Sequence, residues 1–231
     1  IKNLDPDIVV VVAYGKIIPK SILNLKKVKF INVHASLLPK WRGAAPIQRA
    51  IMNLDKFSGI SIMQIVSKLD AGPIMMQSKL NINPDTTYSD LSEKMSELAS
   101  VKILDALNDI EKNRAIFIPQ NNEEATYAKK IEKSETKIKW KENAKNIIAK
   151  INALYPNPGS WFELNGLRIK VTKALEVKKS GKAGEILSNN FEIACSENAI
   201  KILKLKKEGK KEITAEDYLK GNKLQIGKIL T

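Results

Sequence analysis

Ile8-Val9-Val10-Val11-Val12-Ala13-Tyr14-Gly15 is the stretch on which the fold turns. It follows Leu4-Asp5-Pro6-Asp7, a turn composition, and runs without polar alternation. β-Branched residues suit a pleated backbone. A strand with no polar face reads as one covered on both sides, in the middle of a parallel sheet. Central strands need neighbours, so a sheet that opens on one at residue 8 is expected to be part of a domain whose upstream portion this chain lacks, with a short complete domain as the alternative. The first residues show neither a secretory nor a transit-peptide pattern.

Working outward, Ile18-Pro19-Lys20-Ser21-Ile22-Leu23 reads as a short helix, with Pro near its first turn. Phe30-Ile31-Asn32-Val33-His34 is a second apolar strand that ends on polar residues. Pro46 to Leu54 reads as helix, and Gly59 to Ile65 as a third strand with period-two alternation. Leu91 to Leu107 has helical apolar spacing, with Asp85-Thr86 as upstream caps. Strands alternating with helices predict an α/β domain over residues 1–116.

Residues 117–133 read as a linker, because Ile118-Pro119-Gln120-Asn121-Asn122-Glu123-Glu124 is polar and aperiodic. Residues 134–231 form the second domain. A helix from about Asn143 to Ala153 precedes five short strands, around Ser160–Leu164, Leu167–Val171, Gly184–Leu187, Phe191–Cys195 and Ala199–Leu205. Asn165-Gly166 between the first two is a hairpin signal. This spacing predicts a small β-barrel, with the OB-fold a natural candidate.

Composition narrows the function. Hydrophobic residues make up 43% and charged residues 28% of the 231, a soluble globular balance. The longest apolar run has seven residues, Ile8 to Tyr14, against the roughly 20 of a membrane span. One cysteine, Cys195, permits no internal disulfide, and a single histidine, His34, leaves too few ligands for a zinc site of His and Cys. The net charge is +14, of which residues 117–231 contribute +9. Such an excess favours a polyanionic partner, nucleic acid first and an anionic membrane surface second, with a general richness in Lys, Ile and Asn as the competing explanation.

His34 closes a predicted parallel strand, and the C-terminal edge of such a sheet is where ligands bind. Asn32 lies two residues earlier, so the two side chains share a face. Asn supplies a neutral donor for a developing oxyanion, and His carries protons near neutral pH. Lys40-Trp41-Arg42-Gly43-Ala44-Ala45-Pro46 follows as a loop combining an aromatic, a cation and turn residues. Asp70, before Gly72-Pro73, serves either to stabilise that turn or to orient His34 or a substrate amine. No G-x-G-x-x-G, Walker loop, G-x-S-x-G or HExxH pattern occurs.

Taken together, Asn32 to Pro39, Trp41-Arg42-Gly43-Ala44-Ala45-Pro46-Ile47-Gln48 and Leu69-Asp70-Ala71-Gly72-Pro73-Ile74 resemble the methionyl-tRNA formyltransferase family. Thr126-Tyr127-Ala128-Lys129-Lys130-Ile131 and Asn157-Pro158-Gly159-Ser160-Trp161 extend the resemblance over nearly the whole chain. It implies a Rossmann-like formyltransferase domain, incomplete at its N-terminus, followed by an OB-like domain that helps hold tRNA. It implies formyl transfer from 10-formyltetrahydrofolate to methionyl initiator tRNA without a metal. Asn32, His34 and Asp70 would be the catalytic trio, and Ser36, Leu37, Leu38 and Pro39 would line the folate site. Arg42, Lys206, Lys207, Lys210 and Lys211 are the expected tRNA contacts, with an exposed solvated turn as the alternative reading of the lysines. The expected partners are initiator methionyl-tRNA and the folate donor, with no membrane, for a monomer of the bacterial cytoplasm. Lys68 departs from the small or polar residue expected before Leu69-Asp70. Its charged end is expected to reach solvent.

Two other readings compete. A formyltransferase for a small amine, such as an amino sugar nucleotide, shares the Asn-His-Asp chemistry but leaves the basic β-rich half unexplained. A non-catalytic RNA-binding module has no use for three intact catalytic positions.

Overall fold

The computed structural model describes residues 3–16, 18–25 and 29–231. The chain divides into two compact units. One takes in residues up to Ala50 together with Asp55–Asn83 and Asp90–Lys130. The other takes in Ile51–Leu54, Pro84–Ser89 and Ile131–Thr231.

The first unit runs β1 (Ile8–Val12), α1 (Lys20–Leu23), β2 (Lys29–His34), β3 (Arg42–Gly43), α2 (Pro46–Met52), β4 (Phe57–Gln64), β5 (Ile74–Asn81), α3 (Tyr88–Glu111) and β6 (Tyr127–Ala128). Its main sheet has the order β1-β2-β4-β5. β1 is parallel to β2, whereas β2–β4 and β4–β5 are antiparallel. The parallel sheet read from the sequence is therefore mixed, and β1 is its edge among the described residues, with Val10 and Val12 exposed. An apolar run announces a strand but not its neighbours. β5 went unread, because Met75-Met76-Gln77-Ser78 mixes polar and apolar residues without clean alternation.

Register on β2 sets the site. Ile31 and Val33 pack with Ile62 of β4 and Ala106 and Ile110 of α3. Asn32 and His34 consequently project from the opposite face. Full burial of an Ile such as Ile31 or Ile62 contributes about 2–3 kcal/mol. A one-residue slip would forfeit that burial and drive Asn32 and His34 into the core, so the pattern fixes which residues face the site.

The predicted linker is structured as far as Ala128. Ile118 and Ile74 exchange two backbone hydrogen bonds of 2.8 Å, and β6 pairs in parallel with β3. The polar side chains that made this stretch look like a tether are used inward, as described below.

The second unit begins with a 3-10 turn, Lys133–Thr136, and α4 (Ala144–Leu154). β7 (Ser160–Leu164), β8 (Leu167–Val177), β9 (Ile186–Ser188), β10 (Glu192–Ala194), β11 (Ala199–Lys207), β12 (Glu212–Thr214) and α5 (Ala215–Lys220) follow. Asn143 caps α4 by accepting from the Asn146 backbone N–H at 2.8 Å, an arrangement that contributes about 1 kcal/mol. The strands form an antiparallel sheet ordered β7-β8-β11-β10-β9, with β12 on β11, consistent with an OB-like domain. Asn165-Gly166, both at positive φ, makes the predicted hairpin. Its core holds Trp140, Phe162, Phe191 and Tyr218, with Trp140 edge-on to Phe162 at 5.5 Å. Among the described residues no helix is long and apolar enough to cross a membrane.

Candidate active site

β2 delivers His34, 6% exposed, to the end of the sheet beside two loops. Its Nε2 lies 2.9 Å from the Trp41 carbonyl oxygen, which can only accept, so Nε2 carries the proton. Nδ1 is the nitrogen left for chemistry, and it faces Asp70 Oδ2 at 3.7 Å. That carboxylate oxygen also accepts from the Gly43 backbone N–H at 2.8 Å. The Trp41 carbonyl is aimed by a positive φ of 61° at Trp41. The loop is tied down by Trp41 N donating to Thr126 Oγ1 and Trp41 Nε1 donating to Asp55, at 2.9 and 2.7 Å.

Asp70 sits at φ 44°, in the left-handed region that a short polar side chain tolerates. Gly72 follows, where a Cβ would stand 1.8 Å from the Gln64 carbonyl oxygen, so only glycine lets this turn close against β4. Asp70 Oδ1 and the Asn32 side-chain amide have no hydrogen-bond partner among the described residues. Both residues are half-buried, so these groups keep access to solvent or to a bound molecule. Two unpaired groups flanking a fixed imidazole can bind a carbonyl oxygen and an amine proton.

Of the residues assigned to the folate, Ser36 and Leu38 are buried and committed internally. Ser36 Oγ donates to the Lys40 carbonyl at 2.6 Å, and its own carbonyl accepts from Ser61 Oγ at 2.7 Å. Leu38 N donates to Ser61 Oγ at 3.0 Å, and Gln77 Nε2 donates to the Leu38 carbonyl at 2.9 Å. Leu37 and Pro39 are half-buried and retain surface. Ser61 and Gln77, which hold this loop, were not singled out from the sequence. Both lie on strands remote in the chain, and only the β4–β5 register, in which they pair, brings them together.

Arg42 departs from expectation. It is 0% exposed, so it cannot meet a phosphate. Its Nε and Nη2 donate to Gln120 Oε1 at 3.1 and 2.7 Å, and Nη1 donates to Asn122 Oδ1 at 3.0 Å. The sequence placed a cation beside the site but not the direction it points. Lys68 is exposed, as its departure from the expected pattern required.

In the second unit, Lys206, Lys210 and Lys211 are exposed around Gly209. Lys207 is half-buried, with Nζ 4.8 Å from the Tyr218 ring centroid and 3.4 Å from Asn222 Oδ1. Cross-strand register pairs Lys206 with Lys170 and Lys204 with Lys173, extending the basic surface over β8. The alternation Lys204-Leu205-Lys206 was the available signal for that stripe. Trp161 is half-buried, its ring 3.9 Å from the Arg168 guanidinium.

A Formyl transferase family model matches residues 1–107, and a Formyl transferase C-terminal domain model matches residues 130–223. The methionyl-tRNA formyltransferase of Pelagibacter ubique is 49% identical over 232 residues, covering 100% of this chain and 75% of that protein. The enzyme of the same name from Parvibaculum lavamentivorans is 41% identical, covering 97% of this chain and 74% of that one. Among solved structures, HypX from Aquifex aeolicus in complex with tetrahydrofolic acid superposes with a TM-score of 0.72 at 20% identity, over 98% of this chain and 42% of that one. The methionyl-tRNA formyltransferase from Clostridium thermocellum gives 0.61 at 20% identity, over 76% of this chain and 75% of that one. At these identities the structures attest to the fold alone.

Proposed function

This chain belongs to the methionyl-tRNA formyltransferase family, and we propose that Asn32, His34 and Asp70 carry its formyl transfer from 10-formyltetrahydrofolate to the α-amine of methionyl initiator tRNA, for translation initiation. The observation that supports these roles is the pair of unpartnered groups, the Asn32 amide and Asp70 Oδ1, beside an imidazole whose tautomer is set by the Trp41 carbonyl.

The amine lone pair attacks the formyl carbon, forming the new C–N bond and turning the formyl oxygen into an oxyanion. The Asn32 amide donates to that oxygen, where its stabilisation grows as charge develops. The amine then carries one proton too many. Asp70 Oδ1 and His34 Nδ1 are the two groups placed to accept it. The C–N bond to the folate breaks as the folate nitrogen takes up a proton, so the transfer balances without oxidant or metal. Holding both substrates at the end of β2 supplies the entropic part of the acceleration.

Leu37 and Pro39 offer the apolar wall for the folate, and Ser36 and Leu38 shape it from behind. Lys206, Lys210 and Lys211, joined by Lys170, Lys173 and Lys204, supply phosphate contacts for the tRNA, and Lys207 mainly packs. We take residues 1–116 as the catalytic domain and 134–231 as the tRNA-holding domain, in a monomer of the bacterial cytoplasm. The stretch from Ile118 to Ala128 serves the catalytic domain.

The experiment is a substrate competition. The protein is given 10-formyltetrahydrofolate with methionyl initiator tRNA or with an amino sugar nucleotide. Transfer to the charged tRNA is expected. Transfer confined to the small amine would overturn the assignment.

A further inference from the structure

Gln120 lies outside every motif that identified the site, yet it is the side chain that spans the Asp70 turn. Ile118 pairs with Ile74 in antiparallel register, which brings residue 120 level with residue 72. From there Gln120 Nε2 donates to the Asp70 carbonyl at 2.8 Å and to the Gly72 carbonyl at 2.7 Å. Both protons of the amide nitrogen are thereby used on the turn that carries the carboxylate.

The other end of the amide is equally committed. Gln120 Oε1 accepts from Arg42 Nε and Nη2. A guanidinium has only donors, so it selects the oxygen and forces the NH₂ toward the turn. Turned the other way, the amide would set its oxygen against two carbonyl acceptors and its NH₂ against a guanidinium that only donates, so both ends enforce the same orientation. Arg42 is fully buried, and its guanidinium donates to the neutral oxygens of Gln120 and Asn122. Desolvating a cation in this way is costly, and a buried apolar pair would pack here more cheaply.

We propose that Arg42 and Gln120 form a positioning strut that sets Asp70 against His34, Arg42 fixing the amide's orientation and Gln120 holding the left-handed turn at Asp70. This rests on the reading of Asp70 as a catalytic group. Its physical content is directional. The turn backbone is held from one side by Gln120, the carboxylate is held from the other by the Gly43 N–H, and Asp70 Oδ2 is left facing His34 Nδ1. Release of the backbone anchor lets the carboxylate move on the scale of an ångström, a displacement that typically costs on the order of 100-fold in rate.

The test uses Gln120→Glu, Asp70→Asn and the double variant R42M/Q120M. Glutamate still accepts from Arg42, and more strongly, but cannot donate to the Asp70 and Gly72 carbonyls. The double variant removes the buried cation with its acceptor, so it keeps the fold accessible if Gln120→Glu does not fold. Two readouts are taken: kcat and KM for formyl transfer to methionyl tRNA, and the ring ¹⁵N resonances of His34, the sole histidine of this chain, in protein without a histidine tag. Gln120→Glu and the double variant are expected to lose on the order of 100-fold in kcat, with KM for the tRNA within about twofold. Both are expected to shift the His34 Nδ1 resonance in the direction that Asp70→Asn shifts it. A Gln120→Glu or double variant with wild-type kcat and an unmoved Nδ1 resonance, beside an inactive Asp70→Asn, overturns the strut alone. A fully active Asp70→Asn overturns both the strut and the catalytic reading on which it rests.

Discussion

The Trp41 carbonyl oxygen stands 2.9 Å from His34 Nε2, and this contact decides which imidazole nitrogen can act. With Nε2 occupied as a donor, proton traffic must pass through Nδ1, on the side of Asp70. His34→Ala is therefore expected to lower kcat by about 100- to 10,000-fold, the usual worth of a positioned general acid–base. Binding of methionyl tRNA, measured by filter retention, is expected to change little. Weakened tRNA binding at undiminished kcat would assign His34 to recognition instead.

Asn32→Ala removes the one unpartnered amide in the site. Loss of a single oxyanion donor costs on the order of 100- to 1,000-fold in kcat. The folate KM is expected to stay within a few-fold, because the donor acts on charge that appears only in the transition state. A variant with normal kcat and a raised folate KM would show that Asn32 binds ground state only.

Gly72→Ala tests the turn rather than the chemistry. A methyl group 1.8 Å from the Gln64 carbonyl oxygen forces the turn off β4. A cost of about 3 kcal/mol or more is expected, at the upper end of overpacking effects. Asp70 moves with the turn, so activity should fall beyond what the fraction unfolded explains. A thermal melt and an activity titration on one sample separate the two.

The basic surface makes a salt-dependent prediction. Replacing Lys206, Lys210 and Lys211 together by Ala should flatten the slope of log K against log salt for tRNA by about 2 to 3, close to one per phosphate contact. Lys207→Ala, whose cation rests on Tyr218, should alter the slope less and loosen α5 more. Equal effects of Lys207 and Lys206 on the slope would remove this distinction.

Cys195 sets an alkaline limit on the second unit. Burial pushes its thiol from the ordinary 9.0 up to about 11. A raised folded value means that the unfolded chain releases this proton first. Stability is thus intact below about pH 9 and falls as pH rises toward about 11, by up to roughly 2–3 kcal/mol from this group. Cys195→Ala should remove that part of the pH dependence while lowering stability at neutral pH through the cavity it leaves. Parallel pH profiles for both proteins would contradict this account.

Legibility in the sequence followed the range of the interactions. Asn32 and His34 could be placed on one face because strand periodicity is a local property, and Ile31 and Val33 confirmed the opposite face by packing on α3. Arg42 was misread because its environment is set by Gln120, 78 residues away. The stretch around Gln120 was read as a linker for the same reason, since polar residues aimed at a buried turn look identical in sequence to polar residues aimed at water. β1 announced a strand, and its pairing with β2 depends on a register that its own residues do not encode. Lys207 parted from its neighbours only when α5 brought Tyr218 beneath it.

The central claim is that one constellation, Asn32, His34 and Asp70, performs formyl transfer to a charged tRNA. Single-turnover transfer of labelled formyl from 10-formyltetrahydrofolate to methionyl initiator tRNA measures it most directly, comparing the wild-type protein with Asn32→Ala, Asp70→Asn and their combination. Groups acting on one transition state are non-additive, so the double variant is expected to be hardly slower than the worse single one, with both singles down by on the order of 100-fold or more. Single variants that keep the wild-type rate, or losses that multiply fully in the combination, would contradict the account.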